Sequence, residues 1–137
     1  MPQSKKTISI LGSTGSVGQQ TAAILRQYPD RFDVDCLVAN NNVELLIEQA
    51  SQLRPKLVVA ANPQHLNRLR ESLAPLNIDV AAGDSAVIDA ASRRVDICVA
   101  AIVGFAGLRP TFAAIQHAKR LAFVGKECLV CSGNMFL

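Results

Sequence analysis

Short, continuously apolar runs alternate with amphipathic stretches along nearly the whole chain. The runs are Ile8 to Leu11, Cys36 to Ala39, Leu57 to Ala61, Ile78 to Ala82, Ile97 to Val103 and Leu121 to Val124. Each has the length of a strand, and most lack the apolar–polar alternation of a half-exposed one, which predicts strands covered on both faces. Between them, helical spacing places Val17, Thr21, Ile24, Leu25 and Tyr28 on one stripe, and Val43, Leu46, Ile47, Ala50 and Leu53 on another. Asn42 stands where an N-cap belongs and Pro55 follows the end. Asn62-Pro63 predicts a further cap with a first-turn proline, ahead of Leu66, Leu69 and Leu73. Gly83-Asp84 opens a helix carrying Val87, Ile88 and Ala91, and Leu108 to Lys119 forms one that tolerates an early Pro110. A last helical-looking segment starts near Glu127 and stops at Leu137 on Met-Phe-Leu. Strand and helix in this rhythm predict right-handed βαβ units and a doubly wound, mainly parallel six-stranded sheet with helices on both faces.

The first strand runs directly into Gly12-Ser13-Thr14-Gly15-Ser16-Val17-Gly18, glycine at every third position between a strand and a helix. This is a variant of the Rossmann-like dinucleotide fingerprint. Gly12 allows a tight turn, Gly15 keeps a pyrophosphate's path to the backbone open, and Gly18 lets the helix pack close to the sheet. The free amides at the helix start point at the phosphates, and the hydroxyls of Thr14 and Ser16 can add donors. The strand before and the helix after supply the context the motif requires. No Gly-Lys-Ser or Gly-Lys-Thr is present, which excludes a nucleoside-triphosphatase loop.

NAD sites usually carry Asp or Glu at the end of the second strand to hold the ribose hydroxyls. Here that strand ends in Asn40-Asn41-Asn42. An uncharged site does not repel a 2′-phosphate, and Asn side chains can donate to one, which favours NADP. The same residues also suit a turn and a helix cap. Two further segments follow strand ends. Ala101 to Gly107 is apolar and small enough for a flat ring to lie against its backbone, or for a buried turn. Gly125-Lys126-Glu127 offers Lys126 for a substrate hydroxyl or phosphate. Glu127 could accept from a ribose, pair with Lys126, or serve a helix dipole.

Composition narrows the partners. The chain has 137 residues, half of them apolar, with a formal net charge of +3. That is enough for one cored domain over residues 1–137. Its cations are scattered and its aromatics few, so nucleic acid is not an expected partner. No apolar stretch approaches the ~20 residues of a membrane span, and neither membrane attachment nor a signal peptide is expected. Cys36, Cys98, Cys128 and Cys131 lie mostly in apolar runs, as reduced cytoplasmic thiols do. Cys128 and Cys131 lack the second pair a zinc site needs, and read better as neighbours on one helix face. His65 and His117 read as helix-surface residues, and no acidic cluster marks a metal site.

Leu11 to Gly18, Ala100 to Thr111 (Ala-Ala-Ile-Val-Gly-Phe-Ala-Gly-Leu-Arg-Pro-Thr) and Gly125 to Val130 (Gly-Lys-Glu-Cys-Leu-Val) together resemble the 1-deoxy-D-xylulose 5-phosphate reductoisomerase family. The resemblance runs the length of the chain. It implies an NADPH-dependent rearrangement and reduction that yields 2-C-methyl-D-erythritol 4-phosphate in non-mevalonate isoprenoid synthesis. It also implies a divalent metal, Mn or Mg, a phosphosugar substrate and a cytoplasmic homodimer. Carried over, Thr14, Gly15, Ser16 and Val17 would cradle the NADPH phosphates, and Asn40, Asn41 and Asn42 would face the 2′-phosphate. Gly125 and Glu127 would contact the cofactor, and Lys126 the substrate. The chain departs from the family at Gly125, where Asn is usual, and at Asn40-Asn41, where Gly-Lys is common. The metal-binding carboxylates, phosphate site and lid would lie beyond residue 137, so this stretch is expected to bind cofactor without catalysing. Two other readings fit the glycine loop: another NADP-dependent reductase, and a non-catalytic nucleotide-binding remnant.

Overall fold

The computed structural model describes residues 5–102, 108–123 and 130–132. Six strands run parallel: β1 (Lys6–Leu11), β2 (Phe32–Ala39), β3 (Leu57–Ala60), β4 (Asp79–Ala82), β5 (Ile97–Ala100) and β6 (Arg120–Phe123). A short seventh, β7 (Val130–Ser132), pairs antiparallel with β6, giving the order β4-β3-β2-β1-β5-β6-β7. The helices are α1 (Ser16–Gln27), α2 (Val43–Leu53), α3 (Leu66–Leu73), α4 (Asp84–Ala91) and α5 (Leu108–His117), with single 3-10 turns at Pro63–His65 and Ala74–Leu76. The chain builds leftward from β1 to β4, then crosses to the other side of β1 and builds rightward. The crossing leaves a switch point between β1 and β5, where an open sheet splays its loops apart and ligands bind.

Successive residues of each strand feed opposite layers, because side chains alternate across a pleated sheet. Ile8, Ile10, Leu37 and Val58 pack under α1, α2 and α3 with Leu25, Leu46, Leu69 and Leu73. Leu11, Val38, Val59 and Cys98 pack under α4 and α5 with Val87, Ala90, Ala114 and Leu121. Each fully buried leucine here contributes roughly 1.5–3 kcal/mol of transfer free energy, so two apolar layers outweigh local propensity in fixing the fold. The start of the sheet is tied by charge. Asp35, buried in β2, is gripped by Arg93 at 2.6 and 3.1 Å. The Asp96 carboxylate accepts from the Thr7 amide at 2.9 Å and lies 3.1 Å from Lys119. Those contacts, the Thr7 amide first, hold the Asp96 carboxyl below its ordinary value.

Two departures from the sequence reading have physical causes. Strand β2 begins at Phe32, four residues before its apolar run. Asp33 and Asp35 break the hydrophobic pattern, yet Asp35 is buried because its charge is met by Arg93. The helical segment expected from Glu127 onward is replaced at 130–132 by strand β7, which satisfies the free edge of β6. Cys131 therefore sits on a strand rather than on a helix face, while Cys128 lies outside the described residues.

Candidate functional site

Strand β1 ends at Leu11, fully buried at the centre of the sheet, and the chain must turn away at once. It does so at Gly12, whose φ of +92° is a conformation that side chains resist. A β-carbon there would also lie 2.8 Å from the carbonyl carbon of Ala101 on the neighbouring strand's exit. The Val38 carbonyl accepts from both the Gly12 and the Ser13 amides, at 2.7 and 2.9 Å, and fastens the loop to β2. Gly18, in the first turn of α1, is required for a different reason. A β-carbon there would meet the Gly12 carbonyl oxygen at 2.1 Å, so only glycine lets helix and loop approach this closely.

Gly15 is unlike the other two. Its φ of −77° suits any residue, and the nearest atom to an added β-carbon is the Gly12 oxygen at an ordinary 3.6 Å. Nothing among the described residues demands glycine there; the space it leaves open faces outward. Gly15 is the N-cap of α1, which has no side-chain cap and no acidic residue in its first turn. The amides of Thr14, Ser16 and Val17 find no acceptor among the described residues. A 12-residue helix thus presents uncapped N–H groups, and the positive end of its dipole, to the outside. This is the chemistry of an anion site.

The loop forms one wall of a cleft of about 550 Å³ at the carboxyl ends of β1, β2, β3 and β5. That volume falls within the usual range for small-molecule sites. Gly12, Thr14, Gly15 and Asn40 line one side; Ala61, Val87, Ile88, Ala101 and Ile102 form an apolar slot. Asp84, from the start of α4, and Arg109, from the start of α5, are the charged residues among the described lining. Both were missed in the sequence. The available signal was positional, since the first turn of a helix that follows a parallel strand always lies at this edge.

The remaining sequence-predicted residues divide. Ser16 and Val17 sit on the first turn of α1, at the rim rather than in the lining. Asn40 lines the cleft with its side chain exposed. The Asn41 side-chain oxygen accepts from Asn62 at 3.2 Å, and that of Asn42 caps α2 by accepting from the Leu45 amide at 3.3 Å. So Asn42 serves the cap that its position suggested, through its side-chain oxygen. No carboxylate stands at the end of β2, as the sequence indicated. Gly125, Lys126 and Glu127 lie outside the described residues, as do 103–107 of the apolar loop.

Cys36, Cys98 and His117 stay apart from the cleft. Cys36 and Cys98 are buried under α4 and α5. Burial pushes the Cys98 thiol up to about 12 and that of Cys36 further, with Asp35 adding to the rise. Neither is a nucleophile at neutral pH. The His117 ring nitrogen Nδ1 contacts the Ala113 carbonyl within its own helix at 2.8 Å. Among the described residues no three His, Cys, Asp or Glu side chains gather as a metal site would require, and no helix is long and apolar enough to cross a membrane.

A glycine loop of this geometry occurs in many families, and the likeness of the whole chain to known proteins narrows them to one. Residues 8–133 match the family model described as 1-deoxy-D-xylulose 5-phosphate reductoisomerase. The chain belongs to this family. A reductoisomerase from Porphyromonas gingivalis is 48% identical over 134 residues, covering 97% of this chain and 35% of its own length. One from a Bradyrhizobium strain is 43% identical over 132 residues, covering 96% and 32%. The chain thus spans about a third of the length of the curated reductoisomerases it matches. Among solved structures, the Zymomonas mobilis reductoisomerase in complex with NADPH superposes with a TM-score of 0.81 at 39% identity, covering 83% of this chain and 30% of that one. A second reductoisomerase, in complex with NADPH, fosmidomycin and magnesium, gives 0.78 at 35% identity, covering 85% and 29%.

Proposed function

We propose that this chain is the NADPH-binding part of a 1-deoxy-D-xylulose 5-phosphate reductoisomerase, which makes 2-C-methyl-D-erythritol 4-phosphate in non-mevalonate isoprenoid synthesis. The observation that carries the reading is the uncapped start of α1 behind Gly15, open to the cleft. Family relatives solved with NADPH support it. NADPH, when bound, supplies the hydride; this chain binds and aims it. Gly15 gives the diphosphate access to the backbone, and the amides of Thr14, Ser16 and Val17 donate to its oxygens. The apolar slot between Ala61 and Ile102 takes the flat adenine ring, which needs dispersion contact rather than charge. Asn40, Asn41 and Asn42 face the adenosine 2′-phosphate. Two neutral amides and a capping residue do not repel a dianion where a carboxylate would.

Lys126 contacts the phosphosugar and Glu127 the cofactor, by the Lys-Glu motif they share with the family, and Gly125 offers the cofactor its backbone where the family usually has Asn. The described residues offer no ligand set for the family's divalent cation, Mn or Mg. That ion and its carboxylates are assigned to sequence outside residues 1–137, together with the catalytic step. On this reading residues 1–137 are one cofactor domain of a cytoplasmic homodimer.

Calorimetric titration of the chain with NADPH and with NADH tests the assignment. NADPH is expected to bind at least about tenfold more tightly, a difference of about 1.4 kcal/mol. Equal affinities would remove the role given to Asn40, Asn41 and Asn42. A folded chain that binds neither would overturn the cofactor reading.

A further inference from the structure

The buried stripe of α2 carries one polar residue. Leu46 and Ala50 are fully buried, and so is Gln49, which keeps 2% of its surface. Burying an amide in such a stripe is unfavourable unless it is bonded. The Gln49 Nε2 group donates to the Ser13 carbonyl at 2.8 Å, across 36 residues of sequence. The partnership is incomplete as a stabilising device. Gln49 Oε1 and Ser13 Oγ are buried without a hydrogen-bond partner among the described residues, and each such atom opposes folding. Leu or Met at 49 would avoid burying that amide.

The geometry supplies what stability does not. In a trans peptide the carbonyl and the next residue's N–H point in opposite directions. Gln49 pulls the Ser13 carbonyl toward α2, in the layer of α1, α2 and α3. The Thr14 N–H, in the same peptide plane, is thereby turned away from α2. The cleft that Thr14 lines is walled by α4 and α5, which belong to the opposite layer. The Thr14 amide has no acceptor among the described residues. Gln19 holds the next carbonyl, that of Thr14, at 2.9 Å, but from an exposed position where water can replace it. Water has no such access at Gln49.

We propose that Gln49 is a positioning residue for the phosphate loop: by holding the Ser13 carbonyl it fixes the Thr14 N–H as a donor into the cleft. It touches no ligand itself and acts through one peptide plane. The identity of that ligand as a dinucleotide rests on the reading given under Proposed function; the orientation of the loop does not.

The test is nitrogen-15 NMR of the whole chain, as wild type and as Gln49→Met, which keeps length and apolar volume but removes the donor. In the unliganded protein the Thr14 amide resonance is expected to move in the variant, while signals from β3 and β4 stay in place. Titration with NADPH, and separately with inorganic pyrophosphate, should shift Thr14 in the wild type. In the variant both ligands should bind about tenfold or more weakly. A variant with an unmoved Thr14 signal and unchanged affinities overturns the proposal. Pyrophosphate binding without NADPH binding would sink the dinucleotide reading alone, and the pyrophosphate affinities would then decide the role of Gln49. If neither ligand binds, the unliganded Thr14 signal decides it. Should Gln49→Met fail to fold, the wild type still answers. The Gln49 side-chain amide protons must exchange far more slowly than those of exposed Gln20 and Gln27, and equal rates overturn the proposal.

Discussion

Helices α1 and α2 start side by side at the same edge of the sheet, and their first turns are built on opposite plans. At α2 the Asn42 side chain caps the Leu45 amide, Glu44 meets the dipole, and Arg68 grips Glu44 through two 3.0 Å bonds. A side-chain cap and a first-turn acid are both present. At α1 the cap is glycine, the first turn holds no acid, and no described side chain accepts from the free amides. The same chain can clearly finish a helix, so the bareness of α1 is no defect of composition; on the proposed reading it is kept for a ligand. The start of α2 completes itself from its own residues, and that of α1 does not.

This contrast can be broken at four points. Gly18→Ala should have the largest effect, because its β-carbon collides with the Gly12 carbonyl. A loss of about 3 kcal/mol is expected in the unfolding free energy measured with urea, with NADPH binding lost alongside it. Gly15→Val should separate the two properties. Folding should change by less than about 1 kcal/mol, since the site is open, while NADPH affinity measured by calorimetry drops about 100-fold. A comparable loss of stability in both glycine variants would remove the distinction between the internal glycine and the ligand-facing one. Asn42→Ala should lower stability by about 1 kcal/mol through the lost cap of α2. Ser16→Asp should do the reverse at α1, raising the thermal midpoint by the equivalent of about 0.3–1 kcal/mol while weakening NADPH by repulsion. A Ser16→Asp chain that bound NADPH as well as before would show that the diphosphate does not sit at this helix start.

The parts of the molecule governed by hydrophobic period were legible in the sequence. All six parallel strands, both Asn caps and the turn at Gly12 follow from local pattern and turn chemistry, which act over a few residues. What escaped depends on partners distant in sequence. The apolar run opens only at Cys36, and Phe32 to Asp35 join the strand because Arg93, 58 residues away from Asp35, meets the buried carboxylate. Gln49 reads as an imperfection in an amphipathic stripe until Ser13 is placed beside it. Asp84 and Arg109 look like ordinary helix-surface charges, because their place in the cleft depends on which strands are neighbours, and that order is not written in any local window. Strand β7 was missed because Leu129 to Ser132 fits either period, and only the unpaired edge of β6 chooses between them.

The contact between Gly12 and Ala101 has a consequence for the order in which the protein becomes competent. Strand β1 is central, yet its partner β5 enters 86 residues after β1 ends. During synthesis the loop emerges early, as an open edge beside β2, and stays one-sided until the far half has been made and docked. Such distant pairings close late, because chain entropy must be given up before the contacts form. The cleft is therefore completed last: its two walls come from halves of the chain that meet only when β5 docks beside β1.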